Sequence, residues 1–128
     1  MRCTHVALQV RDMARSIEFY QQYCGMRVVR DSTEESRVVW MSWEDDPQQF
    51  VLMLLGRPYA AGEPPPCQHI GIAVRDREYV DALYARATAE GISKVWPPTD
   101  GGPHIGYFCG IADPDGNMIA FSHRPELC

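Results

Sequence analysis

The chain has 128 residues, 45% hydrophobic and 23% charged, with a formal net charge of −5, the proportions of one ordinary folded domain that buries a core without staples. The acidic balance, a pI of about 5.3 and the lack of any basic run exclude a binder of nucleic-acid backbones. No apolar stretch reaches bilayer-spanning length and MRCTHVALQVRDMAR lacks the apolar core of a secretory signal, so no membrane contact and a cytoplasmic location are expected.

Five cysteines, Cys3, Cys24, Cys67, Cys109 and Cys128, are widely spaced and form no C-x-x-C. They read as reduced thiols rather than a disulfide frame or zinc knuckle. Cys109 is a candidate nucleophile, though no base is identifiable beside it.

In chain order, THVALQVRD (4–12) is an alternating apolar strand. Asp12 then caps a helix whose stripe is Ile17, Tyr20, Tyr23 and Cys24, closed by Gly25. A short strand at 26–30 precedes a hairpin that pairs 37–43 with 50–55 across EDDPQQ. Pro and Gly keep 56–67 from being helix or strand, so it reads as a linker. The order then recurs. QHIGIAVRD (68–76) repeats the first strand, with His69 standing 64 residues after His5 (69 − 5). Asp76 and Gly91 bracket a helix with the stripe Tyr79, Val80, Leu83, Tyr84 and Ala87. A strand at 92–96 is followed by a hairpin of 107–112 with 118–122 across DPDGN, where Gly116 and Asn117 tolerate unusual backbone angles. The expected fold is α+β: a single domain, 1–128, of two tandem βαβββ modules (4–55 and 68–123) whose sheets enclose a cleft.

Alternation assigns the faces, because residues i and i+2 of a strand share a side. Val6, Leu8 and Val10 should pack on the first helix, and Ile70, Ile72 and Val74 on the second. His5, Ala7 and Gln9, with His69, Gly71 and Ala73, then face the cleft. Of the last strands, Phe50, Leu52, Leu54, Ile119 and Phe121 go inward. Val51, Met53, Leu55, Met118, Ala120 and Ser122 go to the cleft. Trp40, Trp43 and Tyr107 are candidate wall residues whose phase alternation leaves open. Such a lining suits an apolar or aromatic small molecule with few polar anchors.

The H-x-x-x-x-V openings at His5 and His69, the DPDGN turn at 113–117 and the duplicated module resemble the vicinal oxygen chelate superfamily, which includes glyoxalase I, bleomycin-resistance proteins and extradiol dioxygenases. The resemblance implies metal ligands on the first and last strands of each module, at His5, Met53, His69 and Ala120. The histidines match. The carboxylate that follows DPDGN in metal-dependent members is absent at Ala120, and Met53 replaces its counterpart. The resemblance thus implies no cofactor or a weakly held divalent metal, and a homodimer. Glu44, Asp45 and Glu63 are candidate replacement carboxylates; His104 and His123 are candidate replacement imidazoles, His123 a poor one because its parity is helix-side.

Three functions compete. A small-molecule-binding protein of the bleomycin-resistance kind needs no metal. A metal-dependent lyase, isomerase or ring-cleaving dioxygenase would use His5 and His69 with an unidentified third ligand. Metal-free acid–base catalysis by an imidazole lacks a carboxylate to orient the ring.

Overall fold

A computed structural model describes residues 3, 5–33, 36–43, 50–56, 69–103 and 105–124. Residues 57–67 of the linker expected at 56–67, the EDDPQQ carboxylates Glu44 and Asp45, Glu63, His104, Cys67 and Cys128 lie outside the described residues. The chain divides into two compact units, Met1–Pro66 and Cys67–Cys128.

The first unit contains β1 (His5–Gln9), α1 (Met13–Cys24), β2 (Arg27–Ser32), β3 (Val38–Ser42) and β4 (Val51–Leu55). Asp12 is the N-cap of α1, its carboxylate accepting the Arg15 N–H at 3.2 Å. Gly25 ends the helix with φ +66°, and its N–H donates to the Tyr20 carbonyl, a left-handed cap that glycine adopts without steric cost. The buried face of α1 is Ser16, Phe19, Tyr20, Tyr23 and Cys24. Ile17 is only half-buried, and Phe19 takes the central place by stacking on Tyr23 at 4.9 Å and meeting Tyr20 edge-on at 5.1 Å. The sheet order is β1-β4-β3-β2, with β1 parallel to β4 and the remaining pairs antiparallel. Leu8, Val10, Val39, Met41, Leu52 and Leu54 form its core.

The second unit repeats the plan with β5 (His69–Ala73), α2 (Arg77–Ala89), β6 (Val95–Asp100), β7 (Tyr107–Ala112) and β8 (Met118–His123), in sheet order β5-β8-β7-β6. Asp76 caps α2 by accepting the Tyr79 N–H at 2.8 Å. Val80, Leu83 and Ala87 are its buried face. Tyr79, expected in that stripe, is instead 36% exposed, with the Arg75 guanidinium 4.9 Å over its ring. The second strand of this unit, β6, runs later than the expected 92–96, because Pro97 and Pro98 are accommodated in an edge strand at a register shift between Trp96 and Thr99. Residues 97–100, beyond the end of the expected strand, are therefore strand.

The turn before β8 is built on a buried carboxylate. Asp113 Oδ1 accepts the N–H groups of Asp115 (3.0 Å) and Asn117 (2.8 Å), and Oδ2 accepts the Asn117 amide at 3.0 Å. Gly116 alone takes a positive φ, +89°, and among the described residues no non-glycine does. Asn117 serves the turn through its side chain, contrary to the backbone role expected of it. The hairpin register follows: Gly110 stands opposite Ala120, and Ala120 opposite Gly71.

Candidate functional site

Residues directly opposite one another on paired strands project to the same side of a sheet. In the first unit β1 aligns His5 with Val51, Ala7 with Met53 and Gln9 with Leu55, while Met53 stands opposite Trp40 and Trp40 opposite Arg30. One face therefore carries His5, Ala7, Gln9, Met53, Leu55, Trp40 and Arg30. The opposite face carries the core residues Leu8, Leu52, Leu54, Val39 and Met41. Pairing thus settles the phase of Trp40, whose ring lies 5.0 Å beneath the Arg30 guanidinium carbon.

Trp43 does not join this face by its hydrogen bond. Beyond the end of β3, its indole Nε1 donates to the Cys24 carbonyl at 2.6 Å, satisfying an acceptor at the last turn of α1.

The second unit aligns His69 with Met118, Gly71 with Ala120 and Ala73 with Ser122, and across β7 it aligns Ser122 with Phe108 and Ala120 with Gly110. Trp96 stands opposite Gly110. Its ring lies against that glycine so closely that a Cβ there would fall 2.4 Å from Trp96 Cε3 and 3.0 Å from Met118 Cε. The indole also meets the His69 ring edge-on, at 6.0 Å between centroids. Trp96 was missed by sequence reasoning. The one available signal was Gly110 in the interior of a strand, which marks close approach of another group.

Tyr107 belongs to the other side. It stands opposite His123, its hydroxyl donates to Asp81 Oδ1 of α2 at 2.5 Å, and the Arg77 guanidinium lies 4.7 Å over its ring. The bond to Asp81 raises the tyrosine hydroxyl above its ordinary value. Tyr107 lines a separate pocket of about 500 Å³ with Arg77, Asp100 and His123, not the face that holds His69. His123 is also on the helix side, its Nδ1 3.3 Å from the Val74 carbonyl oxygen.

Cys109 is fully buried, with its thiol 3.6 Å from the Val80 carbonyl oxygen. Burial, and then the nearby Asp81 charge, push the thiol up to about 11, so it stays protonated at neutral pH and is no nucleophile. Iodoacetamide applied to the native protein at pH 7.5 should modify the exposed Cys3 and spare Cys109, whereas the same treatment in denaturant should modify both. Peptide mass spectrometry reads the difference.

The Glyoxalase/Bleomycin resistance protein/Dioxygenase superfamily model matches residues 2–121. The chain belongs to this superfamily. It is 39% identical over 127 residues to the Pseudomonas aeruginosa protein PA2024, covering 97% of this chain and 89% of that one. It is 30% identical over 134 residues to the lactoylglutathione lyase of Haemophilus influenzae, covering 94% and 91%. Among solved structures, the antibiotic-binding protein TnmS3 from Streptomyces sp. CB03234 superposes with a TM-score of 0.71 at 21% identity, covering 97% and 96% of the two chains, and so shares the fold.

Members of the superfamily commonly bind a divalent metal. The described residues do not fit one. Among the described residues, each of the two sheet faces offers a single imidazole, His5 or His69, and neither carries a carboxylate. The last-strand positions are a thioether at Met53 and a methyl at Ala120. Among the described residues no three His, Cys, Asp or Glu side chains gather into a group that could hold a metal ion. Two imidazoles and a thioether lack the anionic oxygen ligand that a hard divalent ion calls for.

Proposed function

We propose that this superfamily member binds an apolar or aromatic small molecule against the sheet face of each unit that carries His5 or His69, without a catalytic metal. One observation carries the reading: each of these faces carries an indole and a single imidazole, Trp40 on the face of His5 and Ala7, and Trp96 against Gly110 and the His69 ring, and neither carries a carboxylate among the described residues. Flat aromatic walls with sparse polar groups are what recognition of a planar apolar compound needs. The polar groups available for orientation are Gln9, Ser122, the two imidazoles and, on the first unit's face, Arg30. The shared fold of TnmS3, an antibiotic-binding protein, is consistent with a binding role. Superfamily members often act as dimers, and a homodimer in the cytoplasm is proposed here too.

A second reading, a metal-dependent lyase, isomerase or ring-cleaving dioxygenase, draws on two observations. His5 and His69 open corresponding edge strands in the two units, and the Haemophilus influenzae relative is a lactoylglutathione lyase. It requires a third ligand from outside the described residues.

The deciding experiment uses protein free of any histidine tag. Metal content is measured first, followed by titration with Zn(II), Ni(II), Fe(II) and Mn(II), and by titration with the neutral fluorophore phenylnaphthylamine. The binding reading expects saturable fluorophore binding at about micromolar concentration and metal well below stoichiometric. About one equivalent of tightly held metal, lost in His5→Ala, would overturn it in favour of a catalytic site.

A further inference from the structure

We propose that Arg30 makes the first unit's face selective for an anionic aromatic ligand, one carrying a carboxylate, sulfonate or similar planar-recognised group beside its ring system. The inference rests on the ligand-binding reading above and adds a charge to the ligand class.

Arg30 sits opposite Trp40 on the edge strand β2, so it flanks the indole on the side of the sheet that holds His5 and Met53. Its guanidinium carbon is 5.0 Å from the centre of the Trp40 ring, a contact that orients the group but uses none of its N–H donors. The neighbouring acid is already committed elsewhere. Asp31 faces the other side, opposite Val39, and holds Arg37 through two bonds of 2.9 and 3.3 Å. That bond draws the Asp31 carboxyl below its ordinary value. Among the described residues no carboxylate pairs with Arg30, although the whole chain carries 17 acidic and only 12 basic side chains. An arginine stacked on an indole with its donors open is suited to bidentate recognition of a planar anion while the indole takes the attached ring.

The corresponding place in the second unit has no cation. There the residue opposite the third-strand site is Trp96, which lies over Gly110. The chain's net charge of −5 disfavours anions in general, so a preference for them has to originate locally. Arg30 supplies that local charge.

A matched pair of fluorophores tests this. Anilinonaphthalene sulfonate and phenylnaphthylamine share their rings and differ by one sulfonate. Wild-type protein should bind the sulfonate about tenfold more tightly than the neutral parent, and added salt should reduce that advantage. Arg30→Gln should remove the advantage and leave phenylnaphthylamine affinity within about twofold, because the indole stays. Arg30→Lys, which keeps the charge and loses the planar fork, should fall between. Circular dichroism checks that the exposed substitution leaves the fold intact. If the sulfonate binds no better than the parent, or its advantage survives Arg30→Gln, the assignment to Arg30 is overturned while the binding reading stands. If neither fluorophore binds, both fall.

Discussion

Replacing Asp113 by Ala is expected to lower the unfolding free energy by about 3 kcal/mol and the melting temperature by about 10 °C. The carboxylate is 4% exposed and accepts three hydrogen bonds, two from the backbone N–H groups of Asp115 and Asn117 and one from the Asn117 amide. Alanine leaves these donors in the turn without their acceptor, and an unmet buried donor costs far more than a hydrogen bond contributes on balance. The turn also sets the β7–β8 register that places Ala120 opposite Gly110, so its loss loosens the floor of the second face. Asp113→Asn should cost about 1 kcal/mol. Its carbonyl still accepts the two backbone donors. Its NH2 finds an acceptor if the Asn117 amide turns over, presenting the Oδ1 that otherwise lacks a partner among the described residues. Thermal and urea denaturation of the three proteins checks this. Equal losses in the two variants would mean that charge, not acceptor count, holds the turn; no loss in either would remove the turn from the list of structural anchors.

Trp40→Ala and Trp96→Ala are each expected to weaken phenylnaphthylamine binding at the face the indole lines by about thirtyfold, the effect of losing an aromatic anchor at a binding surface. The two indoles reach matching places from different strands. Trp40 rises from β3 opposite Met53, itself aligned with Ala7. In the second unit the matching β7 residue is Gly110, opposite Ala120, itself aligned with Gly71. Trp96 crosses from β6 to fill the space that glycine leaves. Both units thus set an aromatic side chain next to the last-strand position, Met53 or Ala120, at which the sequence resemblance expects a metal ligand. Gly110→Ala provides an independent check. Its Cβ would press on Trp96 Cε3 from 2.4 Å, and the indole, 37% exposed on an edge strand, can swing out. Binding should fall as in Trp96→Ala while the core is spared, with tryptophan emission shifted to the red. Unchanged affinity in all three variants would show that the ligand binds away from these faces.

The metal question turns on the same lattice. A carboxylate at position 120 would point to the side that now carries Trp96 and His69, and a methyl stands there instead. On the described strands, the two last-strand positions that the family resemblance expects to be ligands are therefore a thioether at Met53 and a methyl at Ala120. This is also why superfamily membership alone does not assign a reaction: the fold is shared by binding proteins and enzymes, and the chemistry resides in the few side chains that face the ligand.

Much of this was legible in the amino-acid order. Asp12 and Asp76 cap their helices and Gly25 closes α1 because capping and left-handed turns depend on one or two neighbouring residues. The faces of β1, β4, β5 and β8 follow from strict alternation, which is a local property of an extended chain. What tertiary structure alone decided lies where alternation fails or where a partner strand is needed. In YFCGIA, Cys109, Gly110, Ile111 and Ala112 are all buried, so hydropathy carries no phase, and only pairing with His123 and Ala120 shows that Tyr107 faces α2 while Gly110 shares the face of His69. The adjacent prolines of β6 lie beyond the strand expected at 92–96 and cannot donate to a ladder, yet an edge strand tolerates them. Arg30 and Trp96 acquire their roles only through neighbours ten and fourteen residues distant, at Trp40 and Gly110. Sequence determined which segments become helix and strand and which residues those strands alternate; the register between strands, a non-local choice, determined which of them meet.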